Sequence, residues 1–279
     1  MKKVLFAALL ATVAMTAQAS AREDVESSAV VKGTIVLARD GTVQTVLVDD
    51  EARYGKPIAD VVRKTALRWR FHPVVRDGKP VVAKSGMQVR VVLKQTTDGN
   101  YSVRVRGATF GDGSENSTDT LHIAESNKKI QPEYPMSAVR ARVQGTVYLA
   151  VRVDHDGHVT DAVAEQVNLD NLGPTGVLRR YREILADAAL KAARKWSYVT
   201  PTTGELARQD SWTAHVPVSF YLMESGERTR PVWQTYVPGP YTAAPWVDRP
   251  DTGGADALAD GTVQTEGAGP TLLAPLTHG

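Results

Sequence analysis

The chain has 279 residues, no cysteine and a formal net charge of +2. Its length suggests about two domains, and the missing cysteine excludes disulfide staples, thiolate nucleophiles and cysteine-based metal sites. Without Lys2 and Lys3, which lie in a segment expected to be removed, basic and acidic residues balance at 31 each; this argues against nucleic acid as the main partner, because phosphate binding needs a basic surplus.

Lys2 and Lys3 precede an apolar run from Val4 to Ala17, and Ala17-Gln18-Ala19 supplies small residues for cleavage. This is the pattern of a secretory signal, assigned to residues 1–21. The apolar run is shorter than the ~20 residues of a spanning helix, although an uncleaved inner-membrane anchor is the alternative reading.

Two segments then repeat one order of features. In the first, residues 25–106, Ala29 to Leu37 alternates apolar residues and Arg39-Asp40-Gly41 reads as a hairpin turn. Val43, Val46 and Val48 follow as a second strand. Ile58 to Arg68 has helical spacing and ends in Trp69-Arg70-Phe71-His72-Pro73. A Gly78-Lys79-Pro80 turn leads to a strand from Met87 to Leu93, and Tyr101, Val103 and Val105 suggest one more. Residues 107–127, rich in Gly, Ser, Asn and Asp, read as a linker. In the second segment, residues 128–224, Val147, Leu149, Val151 and Val153 alternate before the turn Asp154-His155-Asp156-Gly157, and Val159 to Val167 is the next strand. Leu169 to Arg180 is expected to be a long loop before a helix from Tyr181 to Lys195, which ends in Trp196-Ser197-Tyr198-Val199. Trp212 to Leu222 is the final strand. The interval from Ala29 to Gly41 equals that from Gly145 to Gly157, so the first hairpins align without a gap. Residues 225–279, rich in Pro, Gly and Thr and without periodicity, are expected to be disordered. The expected fold is α+β: two small antiparallel sheets, each packed against a helix.

The second segment carries an ordered set of motifs: Gln131-Pro132-Glu133-Tyr134-Pro135, then Gly145-Thr146-Val147, Val153-Asp154-x-Asp156-Gly157-x-Val159, Ala188-Ala189-x-x-Ala192-x-x-x-Trp196-x-Tyr198, and Val216-Pro217-Val218-x-Phe220. Over about ninety residues this set resembles the TonB C-terminal domain. The first segment resembles a degenerate copy; it keeps the Arg39-Asp40-Gly41 turn and the Ala66-x-x-Trp69-x-Phe71-x-Pro73 helix end but lacks the Gln-Pro-x-Tyr-Pro lead-in. The resemblance implies a periplasmic protein-interaction module that binds a partner segment, such as part of an outer-membrane transporter, by strand addition to a sheet edge. It also implies possible self-association through strand edges. Gln131, Pro132, Tyr134 and Pro135, together with Ala214, Val216, Val218 and Phe220 on the last strand, are the expected partner-binding residues. A TonB-type energy transducer is the alternative; it needs an uncleaved anchor, and the long Pro-rich spacer of such proteins is not evident here.

No enzyme activity and no cofactor are expected. The chain has no Gly-x-Ser-x-Gly, Gly-x-x-x-x-Gly-Lys or His-Glu-x-x-His motif. His155 and His158 lie near Asp154, Asp156 and Asp161, a set that could hold a divalent ion but reads better as a hairpin turn. His72, His122 and His215 are isolated and read as packed or surface residues. The basic residues of the two helices, including Arg63, Lys64 and Arg68 in the first and Lys191 and Arg194 in the second, complement the helix dipoles on a solvated face.

Overall fold

The structure is a computed structural model that describes residues 26–96, 98–111, 117–126, 130–223, 231–247, 254–274 and 276. The proposed signal lies outside the described residues. No described helix is long and apolar enough to cross a membrane.

The first unit opens with β1 (Glu26–Leu37) and β2 (Val43–Val48), an antiparallel hairpin. A short α1 (Glu51–Tyr54) and the main helix α2 (Lys56–Ala66) follow. The Gly78 turn becomes the tip of a small hairpin, β3 (Val75–Arg76) with β4 (Lys79–Pro80); Asp77 and Gly78 both take positive φ there, as a tight two-residue hairpin loop requires. β5 (Ala83–Gln95) then pairs along the whole of β1, and β6 (Tyr101–Phe110) pairs with β5. Ile58, Ala59, Val62 and Ala66 form the buried stripe of α2. Ile58, Val62 and Ala66 pack with Val31, Ile35, Val89, Val91, Phe71 and Phe110.

The second unit follows the same path. After β7 (His122–Ile123) and the short α3 (Met136–Arg140), β8 (Gly145–Asp154) and β9 (Val159–Leu169) form a hairpin. Helix α4 (Thr175–Ala193), strand β10 (Tyr198–Val199) and strand β11 (Ser211–Phe220) complete it, with β11 paired to β8. The helix starts earlier than expected: Pro174, in extended conformation, stands at its N-cap and the first turn begins at Thr175. Gly176, Arg179 and Arg180 blur the apolar period there, so the expected loop is shorter.

One device recurs in both units. The turn glycine of each hairpin lies against the chain that leaves the helix: Phe71 N–H donates to Gly41 O at 3.0 Å, and Tyr198 N–H donates to Gly157 O at 2.7 Å. A Cβ on Gly41 would stand 2.0 Å from Phe71 O, and one on Gly157 2.1 Å from Tyr198 O. The Asp-Gly turn therefore also positions the helix exit.

Two expectations about connecting segments change. Residues 107–110 extend β6, and Leu121 is buried in the second core while β7 pairs with β10, so the expected linker is in large part structured. The segment after residue 230, expected to be disordered, pairs with both sheets at several of its described residues. Its β12 (Gln234–Tyr236) pairs with β1, and its β13 (Gln264–Thr265) pairs with β11. Single bridges join Leu169 to Val237 and Phe71 to Leu272. The stretches are too short for a period of two to appear in sequence, but each satisfies backbone groups at a sheet edge.

The two sheets face each other through the sides that their helices leave bare, with residues 254–260 between them. Thr109 Oγ1 donates to Ala257 O at 3.1 Å, the Ala259 N–H donates to Gln88 Oε1 at 2.6 Å, and Ser219 Oγ bonds Asp260. This second layer explains why β8 buries Thr146, Tyr148 and Ala150 as fully as its core-facing valines. At the centre Arg90, 7% exposed, donates to Ser28 Oγ at 2.8 Å, to Tyr148 Oη at 2.6 Å and to the Asp256 carbonyl.

Candidate functional site

The lead-in motif folds as a brace for the second core. Tyr134 packs edge-on against Phe220, with ring centroids 5.3 Å apart, and its hydroxyl donates to Val143 O at 2.6 Å. Pro135, at φ −62° and ψ 128°, caps α3, the extended geometry that proline fixes. Trp196 Nε1 donates to Ile130 O at 3.0 Å, which ties the lead-in to the helix exit. Gln131 is exposed and Pro132 is half-buried. The motif and the last strand therefore meet at Tyr134 and Phe220. Tyr198, below the same helix, is buried, and its hydroxyl is the one buried side-chain polar atom without a partner among the described residues; burial holds that phenol well above its ordinary pKa.

The expected contact residues of β11 lie on its inner face. Ala214, Val216, Val218 and Phe220 are all buried and their side chains form the core. Thr213 O accepts the Glu266 N–H at 2.8 Å on the outer side of the strand. Backbone direction alternates along an antiparallel strand, so Thr213, His215, Pro217 and Ser219 turn their peptide groups outward, while the four core residues turn theirs to β8. Pro217 offers only a carbonyl on that side, one of the ways in which an edge is blunted. A strand paired on that side, as β13 is, meets the backbone of these odd-numbered residues.

Part of that edge is already filled. β13 runs antiparallel to β11 with Thr265 opposite Ala214 and Gln264 opposite His215. His215 anchors the arrangement: one ring nitrogen bonds Glu165 at 3.0 Å and the other bonds Glu266 at 2.8 Å. Burial alone would push this imidazole down, but the hydrogen bonds and charges of Glu165 and Glu266 outweigh it and hold its pKa at about 9. Glu165 also accepts from Tyr241 Oη at 3.4 Å and from the Ala244 N–H at 3.3 Å. A 370 Å³ cavity lies beside this cluster, bordered by Phe110, Leu258 and Leu272. Further along, Arg182 donates to Val167 O and to the carbonyls of Val237 and Pro238, which clamps the same segment onto β9. Sequence reasoning had left His215 as an isolated histidine; no local signal pairs it with Glu165 or Glu266.

The sign of the His215 shift fixes a pH dependence. A group whose folded pKa is raised contributes stability that is complete below its unfolded value near 6.5 and is lost as pH rises through the folded value. Docking of β13 is therefore expected to loosen as pH rises through about 9. An NMR titration of the His215 ring protons checks this, with tail proteolysis measured in parallel; a midpoint near 6.5 would show that the carboxylates do not hold the ring.

The other histidine cluster is a turn. Asp154 Oδ1 accepts the N–H of Asp156 at 3.0 Å and that of His158 at 2.8 Å, and His158 bridges to Ser197. Among the described residues no group of three His, Cys, Asp or Glu has the geometry to hold a metal ion.

A hairpin, a helix and a returning strand around one apolar core, with an extended segment of the same chain laid on the outer strand, define a small α+β module. Residues 130–166 match the family described as Gram-negative bacterial TonB protein C-terminal, so this stretch of the second unit is similar to the TonB C-terminal domain. The chain is similar to "Protein TonB" of Xanthomonas campestris pv. campestris, at 37% identity over 91 residues that make up 33% of this chain and 34% of that protein. It is also similar to "Protein tonB2" of Pseudomonas aeruginosa, at 34% identity over 91 residues, 33% of this chain and 28% of that one. The chain thus matches about a third or less of the length of these curated relatives. No solved structure matches it.

Proposed function

We propose that this protein is a periplasmic protein-interaction module whose second unit accepts a partner segment by strand addition at the outer edge of β11, and that residues 264–266 occupy that edge until the partner displaces them. The observation that carries this reading is β13 itself: an extended segment of the chain already pairs there, through the Glu266 N–H to Thr213 O. Main-chain pairing gives such binding its affinity and is indifferent to most of the sequence it reads. The partner class, an outer-membrane transporter, comes from the family. Enzyme activity has no part in the reading. The first unit, with its matching turn and helix exit, is proposed as a second copy of the same fold.

The test is site-specific crosslinking in intact cells from Ser211, at the start of β11, half-buried and on the same parity as the residues whose peptide groups turn outward. Glu266→Pro removes both the N–H and the carboxylate that hold β13. Losing those two interactions is expected to raise the yield of a crosslinked outer-membrane transporter by about fivefold or more over the unmodified chain. If neither protein captures a transporter, the strand-addition role at β11 fails.

A further inference from the structure

The small β3–β4 hairpin projects into solvent. From His72 to Pro80 every residue except Val74 is exposed. Its root is fixed: His72 N–H donates to Thr271 O at 2.9 Å, and Val81 N–H donates to Val74 O at 2.9 Å. Val75 stands opposite Pro80, and Arg76 opposite Lys79. The apolar pair and the basic pair therefore take opposite faces. Val75 and Val82 are 58% and 54% exposed, although nothing in their immediate chemistry favours water.

The hairpin is also basic. Arg76, Lys79 and Lys84 are exposed, and none of them enters an ion pair among the described residues. Asp77 at the tip offsets one of the three charges. A 760 Å³ groove beside Arg76 and Lys84 has Asp119 and Glu205 on its border. Glu205 is matched by Arg208 at 3.3 Å, so the cations stay in excess even with Asp119 included. Lys79 stands clear of that groove.

We infer that the β3–β4 hairpin is a docking surface for an anionic phospholipid bilayer, with Val75, Pro80 and Val82 entering the headgroup layer and Arg76, Lys79 and Lys84 meeting its phosphates. The long basic side chains can lay their stems along the apolar groups and reach the phosphates with their tips. A stable protein partner needs about 800 Å² on each side, drawn from roughly 20–30 residues, far more than this hairpin offers. A lipid surface sets no such minimum, because each apolar group and each cation contributes on its own. Nor does the hairpin suit an added strand, since Pro73 and Pro80 have no N–H to donate. Outside Lys2 and Lys3 the chain is formally neutral, so attraction to an anionic surface rests on a local cluster such as this one. The surface is distinct from the β11 edge and does not depend on it.

The probe is a vesicle of phosphatidylglycerol, compared with one of phosphatidylcholine, and partition of the full chain is read by cosedimentation. The chain is expected to prefer the first by about tenfold or more and to lose that preference at high salt. Lys79→Glu is expected to weaken binding by about tenfold. Val75→Ser combined with Val82→Ser is expected to weaken it by about fivefold. Thermal unfolding of these variants is expected to match that of the unmodified chain, because all three positions are exposed. Lys191→Glu, at an exposed cation of the second unit, is expected to leave binding unchanged. Equal binding to both vesicles, an equal loss in Lys191→Glu, or binding to lipopolysaccharide without binding to phosphatidylglycerol would overturn the inference. Binding of poly-glutamate without binding of vesicles would overturn it too, and would mark an acidic protein as the occupant.

Discussion

Gly157→Ala is expected to cost at least about 3 kcal/mol of stability. Gly157 sits at φ +83°, and a Cβ there would lie 2.1 Å from the Tyr198 carbonyl oxygen. The left-handed conformation alone costs an L-residue about 1–2 kcal/mol. The clash adds to this, because the atom it meets is backbone and cannot swing away. The turn must retreat from the helix exit, which breaks the Tyr198 N–H to Gly157 O bond and disturbs the seating of Tyr198 in the core. Gly41→Ala is expected to do the same in the first unit, where the corresponding contact is 2.0 Å from Phe71 O. Gly78→Ala is the control. It too has positive φ, +74°, but a Cβ there would meet nothing within 4 Å, so only the conformational cost of about 1–2 kcal/mol remains. Urea unfolding of the three variants checks the ranking; equal losses at Gly157 and Gly78 would mean that the contact with the helix exit contributes nothing.

Arg90→Ala is expected to cost about 3–5 kcal/mol, the usual loss when one member of a buried ionic network is removed. Its guanidinium is 3.7 Å from the Asp256 carboxylate, whose residue is 2% exposed. Truncation would leave Asp256 with Arg106 at 3.8 Å and Asn168 at 3.0 Å, and would strip Ser28 and Tyr148 of a donor. Because these groups belong to the first unit, the second unit and the C-terminal segment, the loss is expected to weaken their mutual packing more than either core. Calorimetry is expected to show one unfolding transition for the unmodified chain and two for Arg90→Ala. Adding Asp256→Asn to Arg90→Ala is expected to recover part of the loss, since it removes the stranded charge. A double variant no more stable than Arg90→Ala would show that Asp256 is satisfied without Arg90.

The hairpins were legible in the sequence because an Asp-Gly turn between alternating apolar residues admits few other structures. Val147, Leu149, Val151 and Val153 reach the core as the period of two requires. The lead-in was legible as a motif, and its role as a brace followed from Tyr134, whose ring and hydroxyl want different surroundings. The last strand lies within two residues of where it was expected; the outward direction of its peptide groups is set by parity along β11, which needs one observed bond to fix. Arg90 was visible as a charge inside Val89-Arg90-Val91-Val92, but nothing local says that its face of the sheet is covered. The segment after residue 230 was the least legible. It contributes two- and three-residue pairings and a few buried side chains such as Asp256, Ala257 and Leu258, all defined by residues far away in the chain.

That segment also imposes an order of events during synthesis. The ribosome delivers the chain from its N-terminus, so the sheets and helices of both units exist before the residues that close their borders and add Val237 and Leu272 to their cores. From Phe220 to Gln264, the interval before β13 can land, elongation at about 5–20 residues per second takes roughly 2–9 s. For those seconds β1, β9 and β11 present bare hydrogen-bonding borders, the state in which β-rich chains join one another. A holdase that covers extended chain would find its substrate in that window, and the finished molecule would release it without any nucleotide or signal, simply by drawing its own last strands into place.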